Sequence, residues 1–428
     1  MYDLRLSDLG EYDVAVLGGG IAGVFAATTA ARQGCKTVII ERSGAFGGVL
    51  TEGLVPRIMD SKNKGGLVRE LFAFLDERGM SGIRSGKRDE KGNLLPGDLV
   101  DVEGCKYFFD KILCEAGVKC LLYSQVASLE VMDGRIKSAL IVSEAGNYTL
   151  RARTYIDATG SGHAAYMAGC TWDFGEPKTK APNPVSVGSC ITGLPKDFCG
   201  TNSSEEKSAY AEMLEKHGIK VSAEQANVVT LPGCKTWTFS VNFGYGVAPD
   251  DTEKLTDTTI EGRREIFEAV EKHKTVPGFE DIALTVTSSH VGIREGRRIY
   301  GEYRITDSDI LEGRRFDDGV CLVTMKVDVH KMHKTDSPTD YSRGMTTKPY
   351  NIPYRALVPL GVDNLLLAGR CISGDFYPHS SYRVMGNMSA VGEAAGYAAA
   401  RCVFENARPR ELDGKRVSEF MKVRGYEV

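Results

Sequence analysis

The chain has 428 residues, with 53 Lys and Arg against 57 Asp and Glu, a formal net charge of −4, 42% hydrophobic residues and 48 glycines. That length suits two domains or more, the composition is globular, and the near-neutral charge excludes a general pull toward nucleic acid or an anionic membrane. No apolar run reaches the roughly 18 residues of a membrane span, and the N-terminal MYDLRLSDLGEYD lacks the basic start and apolar core of a signal peptide, so a cytoplasmic protein is expected. The eleven cysteines are scattered and never form C-x-x-C, which reads as reduced, mostly buried thiols.

In chain order, Tyr12 to Leu17 (YDVAVL) reads as a buried parallel strand. It runs into Gly18-Gly19-Gly20-Ile21-Ala22-Gly23, a G-x-G-x-x-G, and then an Ala-rich helix to Gln33 that Gly34 ends. A second apolar run from Thr37 to Ile40 ends in Glu41, 23 residues beyond Gly18. Each part has a task in holding a dinucleotide. Gly18 makes the tight turn, Gly20 lets the backbone approach a pyrophosphate, and Gly23 lets helix and strand pack closely. The free N–H groups at the helix start, from Ile21 and Ala22 onward, favour an anion, and Glu41 can accept from ribose hydroxyls. Arg42 and then Gly47-Gly48-Val49 follow. A glycine pair shortly after the ribose acid fits a second loop along the pyrophosphate of a larger, bent cofactor, which favours FAD over NAD.

Residues 64–79 and 103–116 have helical apolar spacing. From Lys119 to Arg153 come three runs of period-2 character, with Val126 in the first and the hairpin dipeptide Asp133-Gly134 before the second. They read as a small antiparallel meander leading into the apolar strand Tyr155-Ile156-Asp157 and the small-residue turn Ala158-Thr159-Gly160. After it, GEPKTKAPNPVS reads as a linker or lid, and residues 257–274 as a helix.

Taken together, G-G-G-x-A-G, Glu41, Gly47-Gly48, the meander and I-D-A-T-G-x-G resemble the glutathione-reductase-type FAD flavoproteins. More narrowly the chain resembles the FAD-dependent oxidoreductase family, whose members are mostly of unassigned substrate. The likeness extends through Gly292-Ile293-Arg294-Glu295, Val327-Asp328-Val329-His330, Tyr350-Asn351-Ile352-Pro353-Tyr354-Arg355 and Asn364 to Ser373, and is weakest between about 171 and 285. It implies an α/β fold: a Rossmann-type FAD-binding domain with a parallel sheet and the small meander, formed by residues 1–170 and 346–428, and an inserted mixed α+β substrate domain at 171–345. It also implies cofactor contacts at Val126, Ala158, Thr159, Gly160, Gly369, Arg370, Arg383, Asn387, Met388 and Ser389, besides the glycine loops. The chain departs from the family pattern in two places. Gly386-Asn387-Met388-Ser389 stands where relatives carry a Pro and a Cys, and His163 stands where an acid is expected.

No second dinucleotide fingerprint is present. Electrons would enter from a small-molecule substrate, from a nicotinamide visiting the same flavin face, or from a partner protein. Arg294 could receive a substrate carboxylate, with Arg297 and Arg298 as weaker candidates. His330 suits proton transfer at neutral pH, and His379, Tyr382 and Arg383 lie in a polar loop before the last helix. Tyr354 and Arg355 follow a Pro-fixed turn that could face the substrate, and Cys371 adjoins the expected flavin loop. Asp328, His330 and His333 have spacing for two metal ligands, but no third or fourth is evident, and no metal is expected. The competing readings are an NAD-dependent dehydrogenase and a protein in which FAD is only structural.

Overall fold

The structure, a computed structural model, describes residues 6–88, 94–223, 225–333, 335 and 345–428. Residues 1–5, part of the N-terminal stretch read above, lie outside them. The main sheet is built on β1 (Leu6–Leu17), whose last four residues are fully buried. α1 (Ile21–Arg32) follows and leads to β2 (Thr37–Ile40), which pairs parallel to β1, Leu17 opposite Ile40. Two helices come next, α2 (Gly66–Asp76) and α3 (Val102–Glu115). The second is capped by Asp101, whose carboxylate accepts the Gly104 N–H at 2.7 Å.

The run expected as one strand from residue 120 to 131 is two. β3 (Lys119–Leu121) pairs parallel to β2, and β4 (Ser124–Met132) starts the meander. The break has a cause in Glu41: its N–H donates to Leu121 O and its carbonyl accepts the Ser124 N–H, both at 2.9 Å, with Tyr123 at a φ of +52° between them. β5 (Arg135–Ser143) and β6 (Gly146–Asp157) complete the meander. β6 changes partner along its length. Its first half pairs with β5, whereas Tyr155 to Asp157 pair parallel with β11 (Leu365–Leu367). The resulting order is β3-β2-β1-β6-β5-β4, with β11 beside the end of β6. All the parallel strands point their C-terminal ends the same way, so the loops after β1, β2, β6 and β11 share one edge, where open α/β sheets bind ligands.

The region after the linker holds an antiparallel sheet, ordered β8-β9-β7-β10, of β7 (Ser189–Thr192), β8 (Asn227–Thr230), β9 (Trp237–Ser240) and β10 (Ala283–Thr287). α4 (Thr252–His273) packs on it, and Val187, Ile191, Phe239 and Ile266 belong to a hydrophobic core separate from that of the main sheet. The main core takes in Ile299, Ile305, Val320 and Val323 as well as the C-terminal segment.

That segment contains α5 (Phe376–Tyr382) and α6 (Met385–Glu405). α6 lies against α1 at a separation that only small residues permit: a Cβ on Gly392 would come within 2.3 Å of Ala22 O, and one on Gly396 within 2.3 Å of Ala26 O. No helix among the described residues is long and apolar enough to cross a membrane.

Candidate active site

The turn from β1 into α1 is organised by close backbone approaches. Gly18 has a φ of +109°, and a Cβ on Gly23 would sit 1.9 Å from Gly18 O. Those two glycines serve the packing of strand on helix. Gly20 differs: it is the N-cap residue of α1, no side chain caps that end, and a Cβ there would meet nothing within 4 Å. The start of α1 therefore opens onto space with its backbone N–H groups and positive dipole end unscreened. The second glycine loop joins it directly, because the Gly47 N–H donates to Gly19 O at 2.8 Å and Gly48 and Gly20 nearly touch.

Glu41 is buried at the end of β2. Its carboxylate accepts the Gly19 N–H at 2.6 Å and both the N–H and hydroxyl of Ser43 at 2.8 Å. It is thus fixed beside the glycine loop, with the Ser124–Val126 end of β4 next to it; Val126 itself is buried. Across the loop, Asp157 is fully buried and accepts from the Thr159 N–H (3.0 Å), the Thr159 hydroxyl (2.7 Å) and the Ala165 N–H (2.8 Å), which shapes the Ala158-Thr159-Gly160 turn. The guanidinium of Arg370, following Gly369, lies over Gly160, where an added Cβ would meet Arg370 Nη2 at 2.7 Å. Burial, with the Arg383 charge next, pushes the Arg370 pKa below its usual value. His163 starts a short helix beside this turn, between Asp157 and the Arg297 and Arg42 charges, and burial lowers its pKa.

At the start of α6, Asn387, Met388 and Ser389 point their side chains into the protein. Asn387 Oδ1 accepts from Cys321 Sγ at 3.5 Å, and the Ser389 hydroxyl donates to Gly386 O at 2.6 Å. The Asn387 Nδ2 is buried and makes no hydrogen bond among the described residues, so the turn can present that amide as well as backbone to a ligand. The Gly386 N–H already donates to Met59 O at 3.0 Å.

Three of the residues singled out in the sequence converge. Arg294, His330 and Arg383, from separate segments, gather around Asp328. Arg383 Nη2 donates to Asp328 O at 2.6 Å and lies 3.6 Å from its carboxylate, and Arg383 Nη1 donates to Arg294 O at 3.2 Å. His330 Nε2 is 3.6 Å from the same carboxylate, and the His330 backbone N–H donates to Asn183 Oδ1 at 3.2 Å. Arg294 donates to Pro184 O at 2.7 Å and stacks 4.8 Å above the Phe243 ring, which also meets His330 edge-on at 5.3 Å. The His330 and Asp328 side chains are 26% and 38% exposed, so the cluster is open to a ligand. Burial lowers the His330 pKa; Asp328 opposes that and the Arg294 and Arg383 charges add to it. Desolvation alone would raise the Asp328 carboxyl, but His330, Arg383 and Arg294 hold it well below the usual carboxylate range. The cluster sits close to the second glycine loop: Gly292, two residues from Arg294, would bring a Cβ 3.8 Å from Val49 Cγ2.

The other candidates lie elsewhere. His379 is fully buried in α5 against Tyr382, and its ring nitrogens make no hydrogen bond of good geometry. Burial, then the charges of Arg298, Arg383 and Arg370, push its pKa far down. Tyr382 donates its hydroxyl to Ile372 O at 3.1 Å in the core. Tyr354 is tied to Pro409 O at 2.9 Å, and Arg355 to Asp318 at 3.0 Å. Arg297 pairs with Asp250 at 2.6 Å, and Arg298 with Glu295. Burial raises the Cys371 thiol well above its ordinary pKa. His333 is exposed, and no group of three His, Cys, Asp or Glu suited to a metal occurs among the described residues. Asp328 was legible in Val327-Asp328-Val329-His330 and in its spacing to His330 and His333, but not as the meeting point of the cluster. Phe243, Asn183 and His290, which lies 3.9 Å from Glu52 and near Arg42, carried no sequence signal.

These residues fit FAD. The space beyond Gly20 admits a close backbone approach, and the uncapped start of α1 suits an anionic pyrophosphate there. The family model described as FAD dependent oxidoreductase matches residues 13–421. Curated relatives match over shorter stretches. The mitochondrial dihydrolipoyl dehydrogenase of Schizosaccharomyces pombe is 28% identical over 177 residues, 38% of this chain and 30% of that protein. Digeranylgeranylglycerophospholipid reductase 1 of Methanopyrus kandleri is 31% identical over 163 residues, 35% of this chain and 40% of that protein. The matches therefore span well under two thirds of those relatives. Among solved structures, p-nitrophenol 4-monooxygenase of Pseudomonas putida is 15% identical with a TM-score of 0.49, covering 97% of this chain and 88% of that one. With an α/β nucleotide-binding fold, a glycine-loop site and a family match over nearly its whole length, the chain belongs to the FAD-dependent oxidoreductase family, whose cofactor is FAD.

Proposed function

We propose that the protein transfers a hydride between a carbon of a small-molecule substrate and N5 of FAD, with His330 handling the accompanying proton. The observation that carries this is the convergence of Arg294, His330 and Arg383 on Asp328, with Gly292, two residues before Arg294, next to Val49 of the second glycine loop. In this reading the FAD-binding part is residues 1–170 and 346–428, the substrate part is 171–345, and the cluster lies where they meet. Glu41 and Val126 would hold the adenosine end, and Gly18, Gly20, Gly23, Gly47, Gly48, Arg42 and Arg370 the pyrophosphate. Ala158 to Gly160, Gly369 and the backbone of Asn387 to Ser389 would hold the rest. When bound, FAD supplies the two-electron chemistry.

The protein's own residues supply position and charge. His330 is kept mostly neutral at neutral pH by burial and two arginines, as a proton acceptor should be, and Asp328 holds its ring in place. Arg383 links Asp328 to the start of α6, so substrate and cofactor ends of the site are braced together. His379 and Tyr382 act from behind, as packing under Arg370 and Arg383. Among the described residues the antiparallel β8-β9-β7-β10 sheet has no strand–glycine loop–helix of its own, which favours substrate, a visiting nicotinamide or a partner protein as electron source.

The test is anaerobic mixing of the flavin-loaded protein with candidate donors, NADH and NADPH included, while flavin absorbance is followed. Bleaching by an organic donor, slowed at least tenfold in His330→Gln, supports the reading. Bound FAD that no donor reduces would assign it a structural role.

A further inference from the structure

We propose that His290 joins Arg42 in holding the FAD pyrophosphate, so that the segment after β10 grips the cofactor along with the glycine loops. This rests on FAD binding at the start of α1, as read above, and adds to that site a residue from the substrate part of the chain. The segment is tied to the second glycine loop through Glu52. The Glu52 N–H donates to Gly48 O at 2.8 Å, where Gly48 nearly touches Gly20, and Glu52 O accepts the His290 backbone N–H at 3.3 Å. The Ser289 hydroxyl donates to the Glu52 carboxylate at 2.5 Å. His290 thus stands on the loop that meets Gly20, its Nδ1 3.9 Å from the Glu52 carboxylate and its side chain 33% exposed.

Charge singles out the same space. Burial is the larger cause that lowers the pKa values of His290, His163 and Arg370, and the Arg42 charge adds to it in all three. Four basic side chains are therefore gathered within electrostatic reach of Arg42, beside the uncapped start of α1. The acids among them are engaged. Glu41 accepts from Gly19 and Ser43, Asp157 from Thr159 and Ala165, and Glu52 from Ser289. Arg263, whose Nη2 donates to Ser288 O at 3.4 Å, is a further cation held to the segment. A pyrophosphate placed here relieves the repulsion between like charges and favours the charged form of His290. The His290 pKa is lowered in the empty site, with Glu52 and Glu41 opposing, and the anion draws it upward. Between those two values FAD binding takes up a proton, so affinity rises as the pH falls.

The experiment titrates the full chain, freed of cofactor, with FAD, ADP and adenosine between pH 6 and pH 8, by flavin fluorescence for FAD and by calorimetry for the others. FAD and ADP should bind more tightly at lower pH, by up to about tenfold per pH unit, whereas adenosine, which lacks the pyrophosphate, should show no such slope. His290→Gln should flatten the slope and weaken FAD at pH 6 on the order of tenfold to a hundredfold, the range of a charge-assisted hydrogen bond. His290→Lys, which keeps the charge at every pH used, should hold FAD at pH 8 at least as tightly as the wild type and lose the slope, a combination that misfolding cannot produce. Equal FAD affinity of wild type and His290→Gln at pH 6, or a slope that survives in both variants, would overturn the inference. A protein that binds neither FAD nor ADP would instead sink the reading on which it rests, so the two failures are distinct.

Discussion

Replacing Gly20 and Gly23 by alanine should separate cofactor binding from folding, although both glycines belong to one motif. At Gly20 the backbone has φ −64° and ψ 173°, which alanine adopts freely, and the new Cβ meets no protein atom within 4 Å. The loss of a good N-cap residue and the gain from a stiffer unfolded chain are each a few tenths to about 1 kcal/mol and opposite in sign. The apoprotein's stability should therefore change by less than about 0.5 kcal/mol. The methyl would instead protrude into the space of the pyrophosphate, where overpacking costs about 1–3 kcal/mol, a loss of roughly fivefold to 150-fold in FAD affinity. At Gly23 the Cβ would come to 1.9 Å from Gly18 O, so strand and helix must part, and about 3 kcal/mol should be lost without any cofactor. Urea unfolding of the apoproteins and quenching of FAD fluorescence on titration measure the two effects. Wild-type FAD affinity in Gly20→Ala, or apoprotein destabilisation matching that of Gly23→Ala, would refute the reasoning.

Other outcomes follow from the same structure. His163, His273, His290, His330 and His379 all have pKa values lowered chiefly by burial, so below the ordinary histidine value the unfolded chain takes up protons that the folded chain refuses. Stability should fall as the pH drops from 7 toward 5, at up to about 1.4 kcal/mol per pH unit for each fully affected histidine. His379→Gln should flatten that slope, and an unchanged slope in denaturant unfolding would contradict the burial argument. Asp328→Asn removes the group that opposes the lowering of His330, so the acid limb of the turnover–pH profile should move to lower pH; a shift to higher pH would refute the pairing. Tyr382→Phe, which deletes the hydrogen bond to Ile372 O, should cost about 1 kcal/mol of stability and leave the pH profile of turnover in place. Collapse of turnover there would give the hydroxyl a part in the chemistry.

What could be read from sequence follows from what is local. The β1–α1–β2 unit is set by neighbours in the chain: an apolar run, glycines at fixed offsets and an acid after the second strand. α3 and α4 announced themselves through apolar spacing, and Asp101 and Asp251 cap them. The split of the run after Lys119 was not legible, because it depends on Glu41 bonding to both Leu121 and Ser124 across the sheet. The site divides in the same way. Arg294, His330 and Arg383 could be nominated by residue type, but their meeting at Asp328 is a long-range event between segments more than thirty residues apart. His379 and Tyr382 looked equally apt beside Arg383, yet the helical turn of α5 directs both into the core. Phe243 was invisible, since nothing near it in sequence marks it as the ring beneath Arg294.

The most direct test of the account is the visible absorption spectrum of the purified protein, repeated on the supernatant after acid precipitation and after incubation of the protein with added FAD. The account predicts flavin bands that pass into the supernatant as FAD, close to one per chain. A protein that is colourless and stays colourless after incubation with FAD would contradict it.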